Sequence, residues 1–186
     1  HKSAVDASAI ATAKAAAENA VAHGFAGAEI TEFNGVTCDN PWSAFIWSRG
    51  YSAPSATVAN IMEETGDPRY DYYLGYGEEA MNPGDEDYAK ISYYDGYSFY
   101  YDLGSQPIHV FSEHELYFIL AECQARMGED PTAAFQTGVF TSVNEMGDWF
   151  GEDFDGVEYA LTFDTPDLTT IMQQRYRRSE SDKFAK

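Results

Sequence analysis

Two helices joined by a tight turn are predicted for residues 112–147, and this hairpin constrains the fold more than any other part of the chain. Ser112 and Glu115 match the capping-box pattern that starts a helix, and Gly128 stands where a helix commonly ends. Residues 130–131, Asp-Pro, suit the cap and first position of a second helix. Because the connection is so short, the two helices are expected to lie antiparallel.

Apolar residues recur along both predicted helices at the spacing of one helix face. They are Leu116, Ile119, Leu120, Cys123 and Met127 on the first helix, and Phe135, Val139, Val143 and Met146 on the second. These faces are expected to bury each other and to form a rigid helical body.

Three further helices are predicted from composition and end signals. An alanine-rich helix spans residues 5–22 before Gly24, and a shorter one spans residues 56–65 behind Ser55 as its cap. The last helix follows residues 165–167, Thr-Pro-Asp, in which Thr165 is the expected cap, the proline suits the first position and the aspartate lies near the positive end of the helix dipole. Its residues expected to face inward are Leu168, Ile171, Met172 and Tyr176. The arginines expected to complement its C-terminal end and nearby carboxylates are Arg175, Arg177 and Arg178.

The middle of the chain is rich in tyrosine and in turn-forming residues. Residues 75–88, GYGEEAMNPGDEDY, are predicted to form a long loop. Residues 91–101, ISYYDGYSFYY, fit a short hairpin around Asp95 and Gly96. The expected fold class is therefore mainly α, with helical hairpins, a long aromatic-rich irregular region and little β structure.

The chain is expected to form a single domain with four segments, since 186 residues are enough to bury one hydrophobic core. A packing helix occupies residues 1–24, and a loop-rich region with a short helix occupies residues 25–111. The helical hairpin occupies residues 112–147, and a loop with the C-terminal helix occupies residues 148–186.

The charge balance limits the partners of the protein. Eleven Lys and Arg against 31 Asp and Glu leave a net charge of −20, which repels phosphate backbones, so no nucleic-acid partner is expected. Apolar residues at 44% and aromatic residues at 16% favour a globule over a disordered acidic tail. Cys38 and Cys123 do not form the framework of a small disulfide-rich scaffold.

Metal-binding and catalytic motifs are weak. The segment HVFSEHE lacks the H-E-x-x-H spacing, and its candidate ligands are His109, Glu113, His114 and Glu115. Residues 82–88 and 151–159 are acidic loops that offer oxygen ligands to calcium without the order of an EF-hand. The sequence contains no nucleophile elbow, P-loop or dinucleotide fingerprint. We therefore expect no cofactor, with calcium as the one ion left open, and no enzymatic activity.

Five segments resemble, in their order along the chain, the motifs of one family. They are NPW at residues 40–42, DPRY at 67–70, ELYFILAECQARMG at 115–128, TGVFTSVNEMG at 137–147 and IMQQRY at 171–176. Together they resemble the SusD/RagB-like outer-membrane lipoproteins of Bacteroidetes, in particular the subfamily with shorter motifs. The resemblance implies a SusD-like fold in which helical hairpins pack in the manner of tetratricopeptide repeats.

The resemblance also implies a function. Members of this family are non-catalytic binding proteins, lipid-anchored on the extracellular face of the outer membrane. They sit on a SusC-like TonB-dependent transporter and capture polysaccharides, oligosaccharides or peptides. They are several hundred residues long, with helical repeats before the matched part and further sequence after it. This chain is therefore expected to be a portion of a larger SusD-like protein, anchored through a region that it lacks.

Exposed aromatic residues beside polar groups are the candidate ligand-binding residues, because a sugar ring stacks its C–H face on an aromatic ring. The candidates are Trp42, Trp47, Arg49, Tyr51, Tyr72, Tyr73 and Tyr76. Each single aromatic residue has an alternative role in the core, where burial of its ring contributes a few kcal/mol.

Two other classes of function remain open from the sequence. A helical module that binds proteins would explain the hairpin but not the tyrosine-rich middle. A glycoside hydrolase would need two carboxylates held about 5–10 Å apart across a cleft. Turnover of a bound sugar, binding without turnover, or affinity for proteins alone would separate these three functions.

Overall fold

The computed structural model describes residues 7–41, 43–44, 55–74, 80–82, 84 and 104–183. This part of the chain is mainly helical, with 61% helix and 7% strand, as the sequence predicts. The helices are α1 (Ala7–Ala22), α2 (Ala56–Glu64), α3 (Tyr70–Leu74), α4 (Glu113–Met127), α5 (Thr132–Phe150), α6 (Gly156–Leu161) and α7 (Leu168–Lys183). The strands are β1 (Ala28–Ile30) and β2 (Ile108–Phe111).

The predicted hairpin is confirmed as α4 and α5. Gly128 ends α4 in the left-handed conformation at φ 74°, and the Oδ1 atom of Asp130 accepts a hydrogen bond of 3.0 Å from the backbone N–H of Thr132. The Phe118 and Phe135 rings, one on each helix, lie 5.8 Å apart. The second helix runs to Phe150, three residues beyond the predicted end. The two helices are therefore antiparallel and form the centre of the molecule.

The core lies on both sides of this hairpin. The largest fully buried apolar side chains of the described residues are Phe118, Phe135, Ile171, Val58, Val139 and Val143. Ala17 of α1 is buried against the same cluster, which agrees with a packing role for the alanine-rich helix. Burial of each large side chain contributes about 1.5–3 kcal/mol, so the hairpin is the main source of stability.

Two apolar residues of the predicted inward faces are exposed instead. Met127 lies in the last turn of α4 and Met172 on the outer side of α7, and both side chains are open to solvent. On α7 the buried neighbour of Ile171 is the polar residue Gln174. Gln174 is buried because it has hydrogen-bond partners in the interior, which helical spacing alone does not reveal.

The helix starts show two further corrections. Ser112 precedes α4 as predicted, but its side chain makes no capping hydrogen bond. Its hydroxyl lies 2.9 Å from Nε2 of His114 instead. At α7, Asp167 rather than Thr165 provides the cap, because its Oδ1 atom accepts a 2.7 Å hydrogen bond from the backbone N–H of Thr170. The short helix α6 was not predicted by the sequence analysis.

A two-stranded antiparallel sheet joins two distant parts of the chain. β1 pairs with β2, with Glu29 opposite His109 and Ile30 opposite Ile108, and a register irregularity interrupts the pairing between Ala28 and Glu29. Neither strand is predicted from the sequence. The hairpin expected at residues 91–101 lies outside the described residues.

Both cysteines are free thiols, Cys38 exposed and Cys123 buried. Burial, together with neighbouring Glu122, raises the pKa of the Cys123 thiol, which keeps it protonated and unreactive. Within the described residues, none of the helices is both long and apolar enough to span a bilayer.

Candidate functional site

A buried ion pair in the turn between α2 and α3 organises the polar interior. Nε of Arg69 donates to Oδ1 of Asp67 at 2.8 Å, and Nη2 donates to Oδ2 at 2.6 Å. The remaining guanidinium nitrogen, Nη1, donates to the hydroxyl of Ser142 on α5 at 2.7 Å. Both charged side chains are buried. Burial alone would lower the pKa of Arg69, but the Asp67 carboxylate raises it, so Arg69 stays charged in the interior.

Two more helices join this network through Tyr159. The phenol of Tyr159, on α6, donates to Oδ2 of Asp67 at 3.3 Å. The side-chain amide of Gln174, on α7, donates to the same phenol oxygen at 3.3 Å, and the Thr65 hydroxyl lies 3.0 Å from it. The Asp67–Arg69 pair therefore connects the end of α2 to α5, α6 and α7.

A second polar cluster lies where α4 begins beside the C-terminal half of α5. Nδ1 of His114 lies 2.9 Å from Oε2 of Glu145, and Nε2 of His114 lies 2.9 Å from the Ser112 hydroxyl. Oε1 of Glu145 lies 3.1 Å from Nε2 of His109 on β2. That nitrogen has no hydrogen-bond partner among the described residues, so its approach to Glu145 is a close contact and not a hydrogen bond.

Ser112, His114 and Glu145 are joined in the same order as the serine, histidine and acid of many hydrolases. The surroundings of these residues are unlike those of a catalytic serine. Ser112 is 3% exposed and His114 is 0% exposed, so a substrate does not reach the hydroxyl in this conformation. We interpret the three residues as a structural link between the start of α4 and α5.

An aromatic and polar surface lies next to this cluster. The Trp149 ring, on α5, lies 5.6 Å from the His109 ring at an angle of 45°. Oε2 of Glu29 on β1 lies 3.9 Å from Nδ1 of His109. Trp149, His109 and Glu145 are half-buried, whereas Glu29 is exposed. We call Glu29, His109, Glu145 and Trp149 the Trp149 surface.

Trp149 is not among the candidate ligand residues named from the sequence. The sequence does indicate that Trp149 and Glu145 lie side by side, because they are four residues apart and share one face of a helix. The proximity of His109 and Glu29 could not be predicted, because it depends on the pairing of β1 with β2.

Two of the predicted ligand residues belong to the described part of the chain, and both are half-buried. The Tyr72 ring lies 4.8 Å from the rings of Phe150 and Phe154. The phenol oxygen of Tyr73 accepts a 3.0 Å hydrogen bond from the backbone N–H of Ser55. Because Phe150 follows Trp149 in α5, Tyr72 lies at the same end of α5 as the Trp149 surface.

The other predicted ligand residues lie outside the described residues. They are Trp42, Trp47, Arg49, Tyr51 and Tyr76. The neighbouring Asn40 is almost completely buried, and its side-chain amide donates to the carbonyl oxygen of Gln106 at 3.0 Å. Asn40 is thus held close to β2.

The candidate metal ligands have other partners in the fold. His109 and His114 face Glu145, and the side chain of Asp155 caps α6 by accepting a 3.1 Å hydrogen bond from the backbone N–H of Glu158. Oδ1 of Asp153 accepts from the backbone N–H of Asp155 at 3.1 Å. Across the residues that the structure describes, no three His, Cys, Asp or Glu side chains are arranged to hold a metal ion.

No protein-family model matches this chain, and comparisons with characterised proteins and with solved structures gave no significant match.

Proposed function

We propose that this chain is part of a SusD-like binding protein that captures glycans or peptides without converting them and delivers them to a SusC-like TonB-dependent transporter. In this proposal the protein lies on the extracellular face of the outer membrane, held by a lipid anchor in a region outside this chain. The helical hairpin acts as a scaffold that displays the aromatic residues.

The observation that carries the proposal is that the segments resembling family motifs contact one another. Arg69 of the DPRY segment donates to Ser142 of the TGVFTSVNEMG segment. Arg175 of the IMQQRY segment forms an ion pair with Glu122 of the ELYFILAECQARMG segment. The residues joined by these two contacts are 73 and 53 positions apart in sequence, which supports reading the segments as parts of one fold rather than as chance matches.

The internal glycine of the TGVFTSVNEMG segment adds to this support. A β-carbon on Gly138 would lie 3.0 Å from Cε1 of Phe118, which belongs to the ELYFILAECQARMG segment. Glycine at this position lets the two helices of the hairpin approach closely. Gly138, one of the residues on which the resemblance rests, is therefore also a residue that the close contact between α4 and α5 requires.

Binding of a sugar needs an aromatic ring beside hydrogen-bonding groups, and two parts of the chain are candidates. One is the group predicted from the sequence, Trp42, Trp47, Arg49 and Tyr51. The other is the Trp149 surface, where an indole lies beside an imidazole and two carboxylates. Neutral sugars are compatible with the acidic surface, because they carry no charge to be repelled.

The test is a glycan and peptide array probed with the labelled chain and with its full-length parent. Trp42→Ala, Trp47→Ala and Trp149→Ala variants are assayed beside Val110→Ser, which changes an exposed residue of β2. We expect saturable binding that one or more folded tryptophan variants lose and that Val110→Ser retains. Circular dichroism establishes that each variant is folded.

Three results would contradict the proposal. A folded full-length parent that binds neither glycans nor peptides lacks the proposed function. Hydrolysis of a bound glycan, detected by chromatography of the products, would indicate a glycoside hydrolase. Binding to proteins alone would indicate a helical interaction module.

A further inference from the structure

Three apolar side chains are exposed at the edge where α5 meets α6. Phe140 on α5 is 37% exposed, and Val157 and Leu161 on α6 are 54% and 62% exposed. Val157 and Leu161 are four residues apart and therefore lie on the same side of α6. Tyr159, which points into the buried network, is two residues from each of them, on the opposite side of the helix.

The start of α6 packs closely on α5, next to Phe140. A β-carbon added to Gly156 would lie 3.3 Å from the carbonyl oxygen of Phe140 and 2.5 Å from Oδ1 of Asn144. The first turn of α6, with Val157, therefore rests directly on the part of α5 that carries Phe140. We call Phe140, Val157 and Leu161 the α5–α6 patch.

The stretch of sequence that carries the α5–α6 patch is acidic. Residues 127–174 contain ten Asp and Glu and no Lys, Arg or His. Asp148, Asp155 and Glu158 are exposed in this stretch. None of these three carboxylates forms an ion pair with another described residue. Asp155 and Glu158 flank Val157 in the sequence, so carboxylates without an ion-pair partner among the described residues lie beside the apolar patch.

We propose that the α5–α6 patch binds a basic amphipathic segment of a partner protein. Apolar side chains of that segment cover Phe140, Val157 and Leu161, and its Lys or Arg residues meet the carboxylates around them. An apolar centre with a charged rim is the usual composition of a protein interface, and the rim favours a partner of opposite charge. This inference is independent of the proposed binding of glycans.

Charge argues against two other occupants of the patch. A second copy of the chain carries the same net charge of −20 and presents the same acidic rim, so the two copies repel each other. An anionic bilayer is repelled for the same reason. A basic segment, in contrast, is attracted over a distance of about one Debye length, roughly 10 Å at 0.1 M salt.

The test uses an amphipathic helical peptide of about 14 leucines and lysines, with the leucines on one face, and a control peptide of the same composition in scrambled order. Binding to the chain is measured by fluorescence anisotropy. Val157→Ser with Leu161→Ser removes most of the patch, and Val110→Ser removes an exposed apolar side chain elsewhere. Circular dichroism checks that the variants are folded.

We expect saturable 1:1 binding of the amphipathic peptide that the double variant weakens about tenfold or more and that Val110→Ser leaves unchanged. Raising NaCl from about 50 to about 500 mM should weaken it as well. Equal binding of the scrambled peptide, or equal binding by the double variant, would overturn the proposal in favour of unspecific charge attraction. Dimerisation of the chain that Leu161→Ser abolishes would overturn it in favour of a second copy.

Discussion

The buried Asp67–Arg69 pair connects several helices through the hydrogen bonds of two side chains. Arg69 uses three guanidinium nitrogens, two for Asp67 and one for Ser142. Asp67 in turn accepts from the phenol of Tyr159. A buried ion pair gains stability only when its remaining donors and acceptors are also satisfied. Each guanidinium nitrogen of Arg69 and each carboxylate oxygen of Asp67 has at least one hydrogen-bond partner.

Replacing Arg69 with Met is expected to destabilise the protein by about 3–5 kcal/mol, because the Asp67 carboxylate would stay buried without its counter-ion. Urea denaturation followed by circular dichroism measures this change. Arg126→Met is the matched control, since Arg126 pairs with Glu122 four residues away on the surface of α4, an interaction of about 0.3–0.5 kcal/mol.

A double variant separates charge from packing at the same site. Asp67→Asn combined with Arg69→Met removes both charges, and we expect it to recover part of the stability that Arg69→Met loses. If Arg69→Met were no less stable than Arg126→Met, the Asp67–Arg69 pair would not hold the network together.

Gly147 allows a second prediction at the residue scale. Replacing a glycine inside a helix with alanine normally stabilises by about 1 kcal/mol. At Gly147 the new β-carbon would lie 2.6 Å from the backbone carbonyl oxygen of Glu152, so the turn after α5 must shift. We expect Gly147→Ala to lower the unfolding temperature. Asp148→Ala, at the exposed neighbouring position, should change stability by no more than about 0.5 kcal/mol. A higher unfolding temperature for Gly147→Ala would show that the turn adjusts without cost.

At the scale of helices, the α4–α5 hairpin is expected to determine whether the molecule folds at all. Leu120 belongs to the central core cluster. Leu120→Asp places an unpaired carboxylate there, and we expect the variant to lose cooperative thermal unfolding. Met127→Asp, at an exposed position on the same helix, is the control and should melt close to the parent. A cooperative melt of Leu120→Asp near that of the parent would contradict a scaffolding role for the hairpin.

The cap of α7 predicts how stability depends on pH. Hydrogen bonds from the backbone N–H and the hydroxyl of Thr170 lower the pKa of Asp167 in the folded protein. The ionised cap therefore adds stability above the unfolded pKa of about 3.9, and this contribution is lost as pH falls through the lower folded pKa. An asparagine caps a helix nearly as well and does not titrate.

Asp167→Asn is therefore expected to lose less stability than the parent between about pH 5 and pH 2. Thermal unfolding across this range measures the difference. Asp148→Asn, at an exposed position in the last turn of α5, provides the control for removing one carboxylate. An identical acid profile for the parent and Asp167→Asn would show that this cap does not contribute to the pH dependence.

Sequence patterns predicted the helices better than the contacts between them. Apolar spacing and helix-end signals predicted the positions of α1, α4, α5 and α7 to within a few residues, because these signals depend on neighbouring residues only. The Ser112 cap was wrong in detail because a buried histidine two residues later competes for the hydroxyl. The pairing of β1 with β2 joins residues distant in sequence, and no local pattern reports it.

At the scale of the whole molecule, the net charge of −20 is expected to oppose the compact state. Raising NaCl from about 0.05 to about 0.5 M screens this repulsion and should raise the unfolding temperature by about 2–5 °C. The rise should be smaller in an Asp148→Lys, Glu152→Lys variant, which replaces two exposed carboxylates. A lower unfolding temperature in salt would show that attractive ion pairs outweigh repulsion between carboxylates.

The candidate site was only partly predictable from the sequence, because it depends on how distant elements of the whole molecule pack together. Composition and motif order indicated aromatic residues beside polar groups, and Tyr72 does lie at the end of α5 that carries Trp149. The Trp149 surface itself takes residues from β1, β2 and α5. Such a site becomes visible only when the packing of these elements is known.

The pairing of β1 with β2 has a consequence for how the length of this protein can vary. Ile30 and Ile108 lie opposite each other in the sheet, so the two ends of the intervening residues 31–107 are held together. This segment also contains α2, α3 and the buried Asp67–Arg69 pair, which fix it to the helical body at further points. For a flexible connection between two fixed points, doubling the length costs only about 0.6 kcal/mol of closure entropy. Insertions between these points are therefore expected to be tolerated, so the tryptophan- and tyrosine-rich sequence can diversify while the body that carries it stays the same.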